Sequence, residues 1–115
     1  MADRAVLFAD VAGSTSLYEI LGDQKAFTLI EQCLDTMSKV TVELHGRVVK
    51  TIGDAVMAAF LGEEQAVRAA LGMHRAFPAF RSEHADALEL RLKVGVFAGP
   101  CYVVTANGKI GRAHV

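Results

Sequence analysis

Apolar residues follow two different periods along the chain, and the changes of period predict its elements. Consecutive or alternating apolar residues predict five strands, at Arg4–Ala9, Arg47–Thr51, Ala55–Leu61, Leu88–Phe97 and Cys101–Thr105. Apolar residues at spacings of three and four predict two helices after the first strand and one after the third. Gly22 and Gly46 are expected to end the first two helices, and Pro78 to kink or end the last.

Each predicted helix has one apolar face that should pack on the sheet. The residues assigned to these faces are Leu17, Ile20 and Leu21, then Phe27, Ile30, Leu34, Met37 and Leu44, then Ala66, Val67, Ala70, Met73 and Phe77. Ser14 or Thr15 is expected to cap the first helix, and Asp23 the second. The order β-α-α-β-β-α-β-β predicts an α+β fold, a ferredoxin-like α/β sandwich with a mostly antiparallel sheet and helices packed against it.

Composition narrows the class of protein. The chain has 115 residues, which suits one domain, and 52% of them are hydrophobic. The mean hydropathy of +0.31 is high for this size and favours a buried interface such as a dimer, or a missing partner segment. No apolar run approaches the roughly 20 residues of a membrane span, and a net charge of −1 argues against a nucleic-acid partner. The two distant cysteines and the absence of a signal peptide predict a cytoplasmic protein.

Two aspartates stand where the predicted topology brings them to one edge of the sheet. Asp10 follows the first strand, and Asp54 lies in the turn between the second and third strands. Because the first two strands run parallel in this topology, the end of the first shares an edge with that turn. Carboxylates there suit Mg²⁺ or Mn²⁺, and the adjacent Gly13–Thr15 segment opens a helix whose N–H groups favour phosphate.

Each of these residues also has an ordinary structural explanation. An aspartate at a strand end or in a turn, and a Gly-Ser-Thr segment before a helix, are common without any ligand. Lys50, just before the turn, would ordinarily be a solvated strand lysine. Spacing alone leaves both explanations open.

Three segments in order resemble the catalytic domain of class III nucleotidyl cyclases, the adenylate/guanylate cyclase family. They read FADVAGST at 8–15, KTIGDAVMAAF at 50–60 and VGVFAGP at 94–100. The resemblance implies a ferredoxin-like sheet and two Mg²⁺ or Mn²⁺ ions held by Asp10 and Asp54, with a main-chain contact at Val11. It also implies nucleotide-binding positions at Val11, Ala12, Gly13, Ser14, Thr15 and Lys50.

The lysine at position 50 resembles the adenylate type of the family, whereas glutamate there would resemble the guanylate type. An ammonium group can donate to adenine N1, while guanine N1–H needs an acceptor. The implied activity is therefore an adenylate cyclase, a lyase that converts ATP to 3′,5′-cyclic AMP and pyrophosphate by two-metal catalysis in intracellular signalling. The resemblance also implies a homodimer with shared active sites.

The family's later asparagine and arginine motifs are not found in these residues. We therefore expect residues 1–109 to be the N-terminal part of a cyclase domain with little activity by itself, and residues 110–115 to be a non-native tail. The alternatives are a non-catalytic cyclase-like regulatory domain and a guanylate cyclase. A diguanylate cyclase is disfavoured because no Gly-Gly-(Asp/Glu)-Glu-Phe segment occurs.

Overall fold

The computed structural model describes residues 5–87, 89–98, 101–104 and 110–113, the last two ranges by their backbone. The strands are β1 (Ala5–Ala12), β2 (Arg47–Ile52), β3 (Ala55–Phe60), β4 (Arg91–Phe97), β5 (Cys101–Val104) and β6 (Ile110–Ala113). The helices are α1 (Ser14–Leu21), α2 (Asp23–Glu43) and α3 (Glu63–Glu83), followed by a 3₁₀ turn at Ala85–Ala87. The predicted strand ends at Arg4, Leu88 and Thr105 lie outside the described residues.

The six strands form one sheet in the order β2-β3-β1-β4-β5-β6. Every neighbouring pair is antiparallel, which confirms the predicted α+β, ferredoxin-like fold with a mostly antiparallel sheet. β1 lies between β3 and β4, and its residues from Val6 to Asp10 pair with both neighbours. The position and direction of β1 therefore determine where the residues at its C-terminal end lie.

The helices cover one face of this sheet. Alternate residues of β1 are buried against them, namely Ala5, Leu7, Ala9 and Val11. The matching residues of β3, Val56 and Ala58, are fully buried as well. The intervening residues of β1 face the other way, and Asp10 among them is exposed. The sheet thus has a helix-covered face, which holds the core, and a second, uncovered face.

The buried face of α2 differs from the predicted one. The buried residues are Ala26, Leu29, Ile30, Cys33, Leu34, Met37, Val40 and Thr41. Phe27 is 54% exposed, and Ile20 on α1 is 73% exposed, so their assignment to the core was wrong. Ala26 is fully buried, so the core-facing position is taken by this small residue and Phe27 lies on the outer side of α2. Burial raises the pKa of the Cys33 thiol to about 12, so this cysteine behaves as a small apolar core residue.

Pro78 lies inside α3 and does not end it. The helix continues five residues further, to Glu83, although proline removes one backbone hydrogen bond. Phe77 and Phe80 on either side of it are both buried, and their rings meet edge to face at 6.3 Å. Arg81 lies over the Phe77 ring at 5.3 Å. Packing of these last turns stabilises the helix beyond the proline.

The C-terminal segment also differs from the expected pattern. Ile110–Ala113 forms β6 and pairs with β5, whereas the sequence pattern indicated no element there. The expectation that residues 110–115 are non-native stays a prediction, because pairing with β5 does not depend on the segment's origin.

Candidate active site

Asp10 lies on the uncovered face of the sheet near one rim. It does not end its strand as predicted, because β1 continues to Ala12 through pairing of Val11 and Ala12 with β4. In the ladder Asp10 lies opposite Ala55 on β3 and Lys93 on β4. Its side chain is exposed, and no hydrogen bond or ion pair joins its carboxylate to another described residue. This carboxylate is accordingly available to a ligand.

Asp54 is held at the same rim by the turn that connects β2 and β3. Gly53 before it has φ of 56°, in the left-handed region that favours glycine. The N–H of Val11 donates to the main-chain carbonyl of Asp54 at 3.0 Å. The hairpin turn and the end of β1 are therefore in direct contact, and the predicted convergence of Asp10 and Asp54 on one edge agrees with the backbone geometry.

The Asp54 side chain has a specific partner. The hydroxyl of Ser14 donates to its Oδ2 at 2.5 Å, a short bond between residues 40 positions apart. Neither Ser14 nor Thr15 caps α1; the N-cap position is Gly13, and no side chain caps the helix. The capping role expected for these hydroxyls was wrong, and the Ser14 hydroxyl reaches across to the aspartate instead.

Gly13 sets the path of the chain between β1 and α1. Its φ is 92°, and a Cβ there would lie 2.5 Å from the carbonyl oxygen of Glu89. Only glycine fits both the backbone conformation and the close approach of that carbonyl. The result is that α1 begins at Ser14, the residue whose hydroxyl contacts Asp54, and the N–H groups of its first turn lack intrahelical acceptors.

Lys50 shares the uncovered face with Asp10, and a bulge in β2 places it there. Val48 pairs with Ala58 on the helix-covered side, but Lys50 pairs with Met57, with a register shift between them. Met57 in turn pairs with Phe8 of β1. From strand spacing and rise per residue, the Cα atoms of Lys50 and Asp10 are about 12 Å apart.

Lys93 is a candidate that the sequence reasoning missed. It lies directly opposite Asp10 on β4, is exposed, and faces the same side of the sheet. The alternation of Leu92 and Val94 with polar residues showed that Lys93 points away from the core. That pattern alone could not show which β1 residue it faces, because this depends on the register of two non-consecutive strands.

The donor set at the rim suits a hard cation that also binds a substrate. Within the described residues no group of three or more His, Cys, Asp or Glu side chains could hold a metal by itself. Two carboxylates are nevertheless what Mg²⁺ commonly receives from a protein when substrate phosphates and waters complete its octahedron. The Val11 carbonyl can add an oxygen, since both backbone polar groups of a strand residue point the same way and its N–H faces Asp54.

The fold and the sequence together identify the protein family to which the chain belongs. The arrangement of strands and helices is the ferredoxin-like α+β fold of cyclase catalytic domains. A sequence model of the adenylate and guanylate cyclase catalytic domain matches residues 2–112, so the chain belongs to this family.

Individual relatives agree with this. The chain is 35% identical over 80 residues to an adenylate cyclase of Anabaena cylindrica, a match covering 68% of this chain and 16% of that protein. Its structure is similar to that of a bacterial light-regulated adenylyl cyclase, with a TM-score of 0.74, 22% identity, and coverage of 95% of this chain and 34% of the other. It is also similar to the adenylyl cyclase CyaB from P. aeruginosa, with a TM-score of 0.70, 22% identity, and coverage of 96% and 64%. At these identities the structural similarity shows the fold.

None of the helices in the described part of the chain has the length and hydrophobicity that crossing a bilayer requires.

Proposed function

We propose that the chain is part of an adenylate cyclase catalytic domain that converts ATP to 3′,5′-cyclic AMP and pyrophosphate. The observation that carries the proposal is the meeting of Asp10, Asp54 and the start of α1 at one rim of the sheet. Carboxylates beside free helix N–H groups suit a metal-bound polyphosphate. Membership of the cyclase family supports the reaction class.

Asp10, Asp54 and the Val11 carbonyl would hold two divalent cations, Mg²⁺ or Mn²⁺. When bound, such ions activate the attacking hydroxyl and neutralise charge on the phosphates. The chain itself orients the two carboxylates. Asp10 is fixed within a strand paired on both sides, and Asp54 by its main-chain bond to Val11 and its side-chain bond to Ser14.

The triphosphate would bind along the loop from Ala12 to Thr15 and against Lys93. The first-turn N–H groups of α1 lack intrahelical acceptors and can donate to phosphate oxygens. Lys93 adds a positive charge directly opposite Asp10. This placement would stabilise negative charge as pyrophosphate leaves.

Lys50 would select the purine. It lies on the same face as Asp10, and the separation of about 12 Å between their Cα atoms suits opposite ends of one extended nucleotide. Its ammonium group can donate to adenine N1, whereas guanine presents a donor at N1. This supports ATP over GTP as the substrate.

A second copy of the chain is the proposed partner. The uncovered face carries Phe8, Met57 and Phe97, and the rings of Phe8 and Phe97 meet edge to face at 5.7 Å. Phe97 is 44% exposed, which leaves apolar surface for a homodimer in which active sites are shared. The asparagine and arginine that the family uses would come from outside these 115 residues, so this chain alone should bind ATP with little turnover. A cytoplasmic role in signal transduction completes the proposal.

The test compares cyclic AMP formation from Mn²⁺-ATP by the full-length protein and its Asp10→Asn and Asp54→Asn variants. Loss of a metal ligand removes several kcal/mol of charge stabilisation, so each rate should fall at least about 100-fold. Asp35→Asn, at an exposed position on α2, is the matched control and should keep the wild-type rate. Undiminished turnover in both rim variants would refute the proposal. ATP binding without turnover in the wild type would instead indicate a non-catalytic regulatory domain.

A further inference from the structure

The Ser14 hydroxyl makes a contact that its position at the start of a helix does not predict. A serine at the start of a helix ordinarily accepts a hydrogen bond from the helix's own N–H groups. Here no side-chain cap forms, and the hydroxyl donates at 2.5 Å to Oδ2 of Asp54. The bond joins the first residue of α1 to the turn between β2 and β3.

Two features of the backbone hold Ser14 in reach of Asp54. The left-handed conformation of Gly13, packed against the Glu89 carbonyl, fixes where α1 begins. The Val11 N–H bond to the Asp54 carbonyl at 3.0 Å fixes the turn against the end of β1. The hydrogen bond from the Ser14 hydroxyl is therefore a second link to the turn before β3, which a main-chain hydrogen bond already joins to the end of β1.

We propose that Ser14 is a positioning residue that orients the Asp54 carboxylate for divalent-cation binding. The inference rests on the metal site proposed above. A carboxylate has about four lone-pair positions, so the bond to Oδ2 leaves Oδ1 and further lone pairs for a cation. Holding one oxygen removes the rotational freedom that Asp54, only partly buried, would otherwise lose on binding the ion.

The same bond couples the carboxylate to the phosphate-binding segment. Ser14 is the first residue of α1, so its hydroxyl and the N–H groups of the first turn belong to the same helical turn. Orientation of Asp54 and placement of the helix start are therefore set together. Loss of the hydroxyl should weaken cation binding even when no nucleotide is present.

The experiment measures Mn²⁺ binding to the full-length protein by electron paramagnetic resonance of the free ion, without ATP. Ser14→Ala should raise the dissociation constant by about 10-fold, the lower end of the range for removing a hydrogen-bond partner of a metal ligand. Ser14→Thr keeps a hydroxyl and should restore most of the affinity. Ser16→Ala makes the same change at an exposed position of the same helix and should bind Mn²⁺ like the wild type. Thermal unfolding of each variant is recorded in parallel.

The outcomes separate this inference from the proposed function. If Asp54→Asn weakens Mn²⁺ binding but Ser14→Ala does not, the metal site stands and the role of Ser14 is overturned. If Asp54→Asn has no effect, or the wild type binds no Mn²⁺, the metal site fails and the inference with it. A lower melting temperature for Ser14→Ala with unchanged affinity, or no rescue by Ser14→Thr, would show a merely structural role.

Discussion

Replacement of Gly13 by alanine tests whether the path from β1 into α1 depends on a missing side chain. An alanine at φ of 92° costs about 1–2 kcal/mol for the left-handed backbone alone. Its Cβ would also lie 2.5 Å from the Glu89 carbonyl oxygen, where real Cβ atoms are essentially never found. Relief requires movement of backbone rather than of a flexible side chain, and overpacking of this kind adds about 1–3 kcal/mol. We expect Gly13→Ala to destabilise the fold by about 2–5 kcal/mol in total.

Gly53→Ala is the matched control, since Gly53 also has positive φ, at 56°, but nothing lies within 4 Å of its added Cβ. It should cost only the backbone term of about 1–2 kcal/mol. Urea denaturation followed by circular dichroism measures both free energies of unfolding, and the slope should be unchanged if the transition stays two-state. Equal destabilisation of the two variants would refute the reasoning, because it would mean that the Glu89 contact adds nothing.

Two further predictions concern the uncovered face of the sheet. Lys50→Glu should shift the preference of the full-length protein from ATP towards GTP by about 10-fold or more, since it exchanges a donor for an acceptor at the base; an unchanged ratio of kcat/KM values would exclude Lys50 from base recognition. Phe97→Asp places a charge among the exposed apolar side chains of the uncovered face and should convert the proposed homodimer to monomer in sedimentation velocity, with a circular dichroism spectrum like the wild type; a variant that stays dimeric would place the interface elsewhere.

The topology and the convergence of the two aspartates could be predicted because they follow from element order. An antiparallel hairpin between two helical crossovers leaves few arrangements, and in those the end of β1 meets the turn before Asp54. The Ser14–Asp54 bond could not be predicted in the same way. It depends on where α1 starts to within one residue, which the contact of Gly13 with Glu89 decides.

The failed helix assignments have a similar physical origin. Periodicity ranks residues by hydrophobicity, so it assigned Phe27 to the core and passed over Ala26, although close helix packing favours the smaller residue. Pro78 was predicted to kink or end α3; the helix does not end there, and the buried Phe77 and Phe80 favour its continuation.

The bulge in β2 allows Val48 and Lys50 to face opposite sides of the sheet, whereas a regular strand would place both on the same side. Without the extra residue, Lys50 would fall in the same alternation as Val48 and point towards the helices; with it, Val48 serves the core and Lys50 faces the opposite side. Side chains at position 50 can therefore change without disturbing interior packing. Under the role proposed for Lys50, a single substitution there would exchange one base preference for another while folding stability stays nearly constant, which would leave substrate choice open to evolutionary drift.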